Sequence, residues 1–223
     1  MSRLIVRLPN HLGDTCMTLP ALDLLALGGF EISLAARPWA RSLFPGRSWP
    51  VFELGTPWWA RVRALRQWRN GQTEARGLLF ANSLSSALEM RCAGVQPMGY
   101  ATDARAWLLA PAVPLPRPLA GVHMVEYYYA LAARLVAQVP PLPAELALPV
   151  SPDATLRARS LLAAAGVTGP YVMLCPLAAG LHRGRMKVWN GFGRLCDRLI
   201  ARGVRVVACP GPGERDAMMR AVP

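Results

Sequence analysis

The sequence contains a single lysine, Lys187, although 25 of its 223 residues are basic. Acidic residues are also few, 13 in all, so the formal net charge at pH 7 is +12. A chain with this charge attracts anionic partners such as nucleic acid, a phospholipid surface or a phosphorylated substrate. The charge alone does not distinguish among these partners. The presence of one lysine among many arginines suggests a chemical role for Lys187.

The sequence also lacks long apolar runs and paired cysteines. Hydrophobic residues make up 53% of the chain, but no run approaches the ~20 residues that span a bilayer. The apolar part of the N-terminus is too short for a signal peptide. The five cysteines form no C-x-x-C pair, so we expect neither a disulfide framework nor a zinc site. We therefore expect a cytoplasmic protein without a bound metal.

Strand-like and helix-like segments alternate along the chain, which predicts βαβ units, a mostly parallel sheet and an α/β fold. The proline-rich residues 140–143 interrupt this alternation, so we predict one domain over residues 1–150 and a second over residues 151–223. The second segment holds two predicted strands, and we expect a truncated domain whose natural form continues. Predicted strands cover residues 4–8, 31–36, 51–54, 77–81, 96–100, 171–175 and 204–209. Predicted helices cover residues 15–27, 39–44, 58–68, 83–92, 123–137, 153–165, 189–202 and 214–220.

Two blocks of polar residues follow predicted strands of the first domain. The first, Asn10-His11-Leu12-Gly13-Asp14, places Asp14 at the head of a helix. Ligands of open α/β sheets bind beyond the carboxyl ends of strands, so Asp14 is a candidate catalytic residue. The second block begins with Asn82 and Ser83 at the head of another helix. Helix capping is the alternative role of all three residues.

A loop in the second domain is a candidate diphosphate site. A strand leads into residues 176–180, and a helix begins near Lys187 and Trp189. A loop that enters a helix presents free backbone N–H groups and a partial positive charge, and Lys187 adds a flexible point charge. Alternatively, Lys187 is an ordinary solvated lysine.

These blocks, in this order, resemble the bacterial lipopolysaccharide heptosyltransferases of glycosyltransferase family 9, type II more than type I. The resemblance covers essentially the whole chain and rests on Asn-x-Leu-Gly-Asp, Asn-Ser-x-x-Ser-Ala, Gly-Tyr-x-x-x-x-Arg and Lys-x-Trp. It implies a GT-B fold of two Rossmann-like domains, the second incomplete here. The first domain would bind the acceptor, and the second would bind the nucleotide-sugar.

The resemblance implies inverting transfer of heptose from ADP-heptose to the lipopolysaccharide inner core, with Asp14 as general base. ADP-heptose is then a substrate, and no cofactor is implied. The donor site would include Ala178, Ala179, Lys187 and Glu214. The acceptor is an acidic lipid-linked oligosaccharide in this family, and its contacts would include Asn10, Asn82, Ser83, Arg105 and His123.

The predicted helix at residues 58–68, with the arginine that follows it, also suits an acidic, lipid-linked acceptor. Arginine binds carboxylate or phosphate groups bidentately, and tryptophan lies well at a lipid interface. We therefore expect peripheral contact with the inner face of the inner membrane. An ordinary amphipathic surface helix is the alternative. The acceptor-facing arginines of this segment would be Arg61, Arg63, Arg66 and Arg69.

The sequence departs from the family's pattern in the second domain. Leu177, Ala178 and Ala179 stand where the family has small hydroxyl or acidic residues, so hydroxyl contacts to phosphate are lost. The family's Asp-[Ser/Thr]-Gly-x-x-His segment is absent, and we expect weak donor binding by this chain.

Three alternative functions stay open from the sequence. A basic nucleic-acid-binding protein is the alternative from another class, but no zinc finger, RNA-recognition or helix-turn-helix signature is present. We therefore expect no nucleic-acid partner. A related enzyme that uses a different nucleotide-sugar and a non-catalytic fragment of such an enzyme are the other two.

Overall fold

The computed structural model describes residues 2–115, 122–177, 181–182, 185–186 and 189–222. The chain divides into two compact units, Met1–Ser151 and Pro152–Pro223. The roles that the sequence assigns to the two domains stay predictions.

A six-stranded parallel sheet forms the centre of the first unit. This arrangement confirms the predicted α/β fold. The last strand was not predicted, because two residues are too few for a sequence pattern. The strands are β1 Ser2–Arg7, β2 Phe30–Ala36, β3 Val51–Glu53, β4 Arg76–Leu79, β5 Gln96–Tyr100 and β6 Ala112–Val113. They lie side by side in the order β3-β2-β1-β4-β5-β6.

Five α-helices of the described residues accompany this sheet. The segment predicted as one helix over residues 15–27 is two helices that meet at Thr18, whose hydroxyl donates to the carbonyl of Thr15 at 2.7 Å. Pro20 is the second residue of the latter helix, where its missing N–H costs no internal hydrogen bond. The helices are α1 Leu12–Met17, α2 Leu19–Leu27, α3 Trp58–Arg69, α4 Leu84–Cys92 and α5 Met124–Ala133.

The two faces of the sheet bury separate apolar clusters, because successive side chains of a strand point to opposite faces. Leu4 and Val6 of β1 pack in the cluster that includes Leu22 of α2 and the tyrosines of α5. Ile5 packs in the cluster that includes residues of α3 and α4. Burying each such aliphatic side chain contributes about 1.5–3 kcal/mol. This packing fixes the sheet whose carboxyl edge carries the predicted site.

The second unit contains a parallel pair of strands, β7 Tyr171–Leu174 and β10 Arg205–Ala208, in which Tyr171 pairs with Arg205. A short antiparallel pair, β8 Leu181–His182 and β9 Arg185–Met186, lies between them in the chain. The helices of this unit are α6 Pro152–Ala164, α7 Phe192–Ala201 and α8 Arg215–Ala221.

Two further findings concern membrane spans and metal sites among the described residues. In that part of the chain, every helix is too short or too polar to cross a bilayer. The same residues bring together no three His, Cys, Asp or Glu side chains that could hold a metal ion.

Candidate active site

The carboxyl ends of β1 and β4 lie side by side, because Arg7 pairs with Leu79 in the parallel register. The backbone N–H of Phe80 then donates to the carbonyl of Arg7 at 3.0 Å, so the two following loops leave the sheet together. One loop leads to Asp14 and the other to Asn82. The two polar blocks that were predicted separately therefore meet at one edge of the sheet.

Asp14 is the third residue of α1, and its side chain is half-buried. The N-cap of this helix is His11 and makes no side-chain capping bond, so Asp14 does not have the capping role. Thr15 holds the loop by donating from its hydroxyl to the carbonyl of Pro9 at 3.2 Å. Within the residues that the structure describes, no hydrogen bond or ion pair engages the Asp14 carboxylate. The half-buried Asp14 carboxylate is therefore available to a ligand at this edge of the sheet.

Two consecutive tyrosines of α5 approach the two loops. The hydroxyl of Tyr127 donates to Oδ1 of Asn82 at 3.0 Å. Burial, and then the negative charge of Asp14, raise the pKa of Tyr128. The Tyr128 phenol therefore stays neutral near the carboxylate, and α5 links the base candidate to the Asn82 loop.

Arg105 is fully buried, and its guanidinium donates to the carbonyls of Tyr100 and Ala81 and to Oδ1 of Asn82. Desolvation by burial lowers the pKa of this group. A side chain without exposed surface does not reach an acceptor sugar. The structure thus gives Arg105 an internal role, holding the ends of β4 and β5, in place of the predicted acceptor contact.

Ser83 and His123 cap the helices that follow them. The hydroxyl of Ser83 accepts from the N–H of Ser86 at 3.3 Å, and Nδ1 of His123 accepts from the N–H of Val125 at 3.3 Å. Both side chains are exposed. The capping alternative therefore holds for these two residues, while their position at the edge of the sheet leaves them accessible to a ligand.

A buried ionic cluster that was not among the predicted site residues supports the Asp14 loop. Arg7 and Glu89 are 4% and 1% exposed, and Nε of Arg7 lies 3.8 Å from Oε2 of Glu89. Nη2 of Arg7 donates to Oδ1 of Asn10 at 3.0 Å. Burial lowers the pKa of Arg7 to about 10, although the Glu89 charge raises it. An arginine directly after the apolar residues 4–6 is the signal that could have identified this cluster.

Comparison with solved structures identifies relatives of this architecture. The chain matches E. coli ADP-heptose LPS heptosyltransferase II with a TM-score of 0.70 and 25% sequence identity, over 99% of this chain and 68% of that one. The fold of this chain is thus similar to that of the bacterial heptosyltransferases. These are glycosyltransferases, so the chain has the architecture of a transferase enzyme.

Two other structures share the heptosyltransferase fold at lower identity. A glycosyl transferase family 9 protein from Veillonella parvula DSM 2008 has a TM-score of 0.77 and 14% identity, over 99% of this chain and 65% of that one. E. coli heptosyltransferase WaaC, solved with ADP, has a TM-score of 0.70 and 18% identity, over 98% and 70%. The chain thus spans about two thirds of the length of these proteins. The sequence matches no family model and no curated protein.

Helix α3 of this heptosyltransferase-like unit does not present its four arginines together. Nε of Arg61 donates to Oε1 of Glu89 at 2.8 Å, and Arg66 donates to the carbonyl of Cys92 at 2.9 Å. Arg69 lies against Gly94, beyond the end of α4. Because α3 runs from the carboxyl end of β3 toward the amino end of β4, Arg66 and Arg69 lie away from the candidate site.

Arg63 lies in the first half of α3 and is exposed. Its guanidinium lies over the ring of Trp59, 4.9 Å from the centroid. Trp58 and Trp59 are 39% and 59% exposed. The predicted acceptor or membrane surface therefore reduces to the first half of α3.

The predicted donor residues of the second unit are described in part. Lys187, Ala178 and Ala179 lie outside the described residues. Glu214 is the N-cap residue of α8, and its carboxylate accepts from the N–H of Gly211 at 2.9 Å. This bond closes the turn after β10 and occupies one carboxylate oxygen.

Proposed function

We propose that this chain transfers heptose from ADP-heptose to the inner core of lipopolysaccharide. The Asp14 carboxylate carries the proposal, because it is half-buried and without a partner in the described part of the chain. It occupies the carboxyl edge of a sheet in a chain 25% identical to an ADP-heptose heptosyltransferase over 99% of its length.

The proposed reaction is a single displacement that inverts the anomeric carbon. The acceptor hydroxyl oxygen attacks that carbon as the bond from the carbon to the phosphate oxygen breaks. Asp14 takes the hydroxyl proton as general base, and ADP leaves with the bonding electrons. The products are ADP and the glycoside, and no metal or cofactor takes part in this proposal.

The proposed donor site lies in the second unit and uses Lys187 to neutralise the charge that develops on ADP. Ala178 and Ala179 would contribute backbone contacts, and Glu214 would approach the nucleotide. Isothermal titration with ADP tests Lys187: K187A should weaken binding, and K187R should restore it in part, because the arginine fork differs from a point charge. Unchanged ADP affinity in K187A would favour the alternative, in which Lys187 is an ordinary solvated lysine.

The proposed acceptor is an acidic, lipid-linked oligosaccharide bound at the carboxyl edge of the first unit. Asn10, Asn82, Ser83 and His123 line this edge. The exposed Trp59 and Arg63 would contact the anionic lipid surface, because tryptophan and arginine suit the headgroup region. Peripheral contact with the inner membrane from the cytoplasmic side follows from this surface.

The test is a transfer assay with purified chain, ADP-heptose and inner-core glycolipid, following both ADP release and product mass. We expect a heptose-sized mass increase and inverted anomeric configuration by NMR. Parallel reactions replace ADP-heptose with ADP-glucose or UDP-glucose. Turnover with one of these sugars instead would favour the alternative of a related transferase. No turnover and no ADP binding would favour the non-catalytic alternative.

A further inference from the structure

We infer that Asn82 selects its ligand by presenting only hydrogen-bond donors, and that Arg105 and Tyr127 impose this orientation. The ligand group is therefore a carboxylate or phosphate oxygen, which accepts hydrogen bonds and has none to donate. The inference rests on the proposed function, because it names what one residue of that acceptor site recognises.

The chemistry of arginine decides which atom of the Asn82 amide faces inward. A guanidinium donates hydrogen bonds and accepts none. Nη2 of Arg105 lies 3.2 Å from the Asn82 side chain, so the facing atom is Oδ1. The hydroxyl of Tyr127 donates to the same oxygen at 3.0 Å. Two donors thus occupy the two lone pairs of the amide oxygen.

The other end of the amide is free. Nδ2 of Asn82 has no hydrogen-bond partner among the described residues, and it is not one of the buried unpartnered atoms found there. The side chain is half-buried, so Nδ2 is reached by solvent at the carboxyl edge of β4. This nitrogen carries two N–H donors and no acceptor.

Arg105 cannot turn away to release the amide. It is fully buried and also donates to the carbonyls of Tyr100 and Ser83, at 3.0 and 3.3 Å. Gly99 leaves the space that the guanidinium fills, because a Cβ there would lie 3.3 Å from Nη2. A rotated amide would point N–H groups at this fixed cation, which is unfavourable. Arg105 and Tyr127 are therefore positioning residues for Asn82.

The decisive variant is N82D, which keeps an oxygen for Arg105 and Tyr127 but replaces the two outward donors with an acceptor. The new carboxylate lies beside the buried Arg105 cation and has the opposite charge. The fold should therefore be kept, and the midpoint of thermal unfolding should not fall. The KM for inner-core glycolipid should rise at least about tenfold, which corresponds to the loss of one well-placed hydrogen bond. The KM for ADP-heptose should stay within about twofold.

The matched control is N70D, which makes the same charge change at the exposed C-cap of α3, near the amino edge of the sheet. It should leave both KM values unchanged. Y127F removes one of the two bonds to Oδ1 and should raise the glycolipid KM less than N82D does. An unchanged glycolipid KM in N82D, or equal effects of N82D and N70D, would overturn the inference.

A second measurement does not depend on catalysis. In a ¹H–¹⁵N spectrum, N82D deletes one pair of side-chain amide peaks and so assigns them to Asn82. In the unsubstituted chain this pair should shift when inner-core glycolipid is titrated. Absence of glycolipid binding, or binding without a shift of this pair, would overturn the inference. A shift without turnover would support the inference and count against the proposed transfer reaction.

Discussion

Arg61 donates a hydrogen bond of 2.8 Å from Nε to Oε1 of Glu89, and so joins α3 to a buried carboxylate of α4. Arg7 lies near the other oxygen of the same carboxylate, at 3.8 Å. One acidic group therefore faces two guanidinium groups that are largely withdrawn from water.

Replacing Glu89 with glutamine should destabilise the first unit strongly. The change leaves two buried or half-buried cations without their counter-charge, which costs about 3–5 kcal/mol when a buried pair is broken. Urea unfolding measures the free energy change. The control is E53Q, which breaks the exposed Arg41–Glu53 pair at 3.1 Å and should cost about 0–1 kcal/mol. Equal losses in the two variants would show that the cluster contributes no more than a surface pair.

Asp14→Asn should abolish most turnover without unfolding the chain. Asparagine has the same shape but cannot take the proton from the hydroxyl of the acceptor sugar. We therefore expect kcat to fall about 10²–10⁴-fold. Affinity for ADP should not change. The control is D23N, which removes the half-buried carboxylate of α2 that pairs with Arg47 and should keep normal turnover. Near-normal turnover in D14N would contradict the general-base role.

Arg63→Ala should weaken binding to anionic vesicles more than Arg69→Ala does. Both variants lose one charge from the same helix, but Arg63 lies beside the exposed Trp59 and Arg69 lies against Gly94. Vesicle sedimentation at two salt concentrations measures the difference in binding between the two variants. Added salt should reduce this difference, because exposed charges are screened. Equal effects of both variants would mean that the +12 charge acts as a diffuse attraction.

The first unit should lose stability above pH 10 as its buried tyrosines ionise. Burial raises the pKa of Tyr100 to about 12 and raises that of Tyr127. The folded state therefore holds these protons more tightly than the unfolded state, whose tyrosines titrate near 10. This stabilising contribution is complete below pH 10 and is lost as the pH rises toward 12.

Urea unfolding at several alkaline pH values measures this loss. For Tyr100, which is 1% exposed, raising the pKa from its usual value to about 12 corresponds to about 2–3 kcal/mol. Y100F should show a shallower decline, while Y171F, at an exposed position of β7, should not alter the decline. A decline of the same slope in all three proteins would contradict the assignment to the buried cluster.

The sequence by itself determined the alternation of strands and helices, the parallel sheet and the place of Asp14 beyond β1. These features follow from short-range patterns: apolar runs, a glycine turn and an Asp at the start of a helix, all within about a dozen residues. The resemblance to heptosyltransferases rests on such local blocks and agrees with the fold.

Only the tertiary structure decided the roles of the charged residues. Arg105 was expected at the acceptor, but carbonyls from two different strand ends enclose it. The sequence did not indicate the ionic role of Glu89, because its partners Arg7 and Arg61 come from separate elements. The α3 arginines diverge because their helix runs the full height of the sheet. An isolated arginine looks the same in the sequence whether it binds substrate or carbonyl groups, since burial is set by segments distant in the chain.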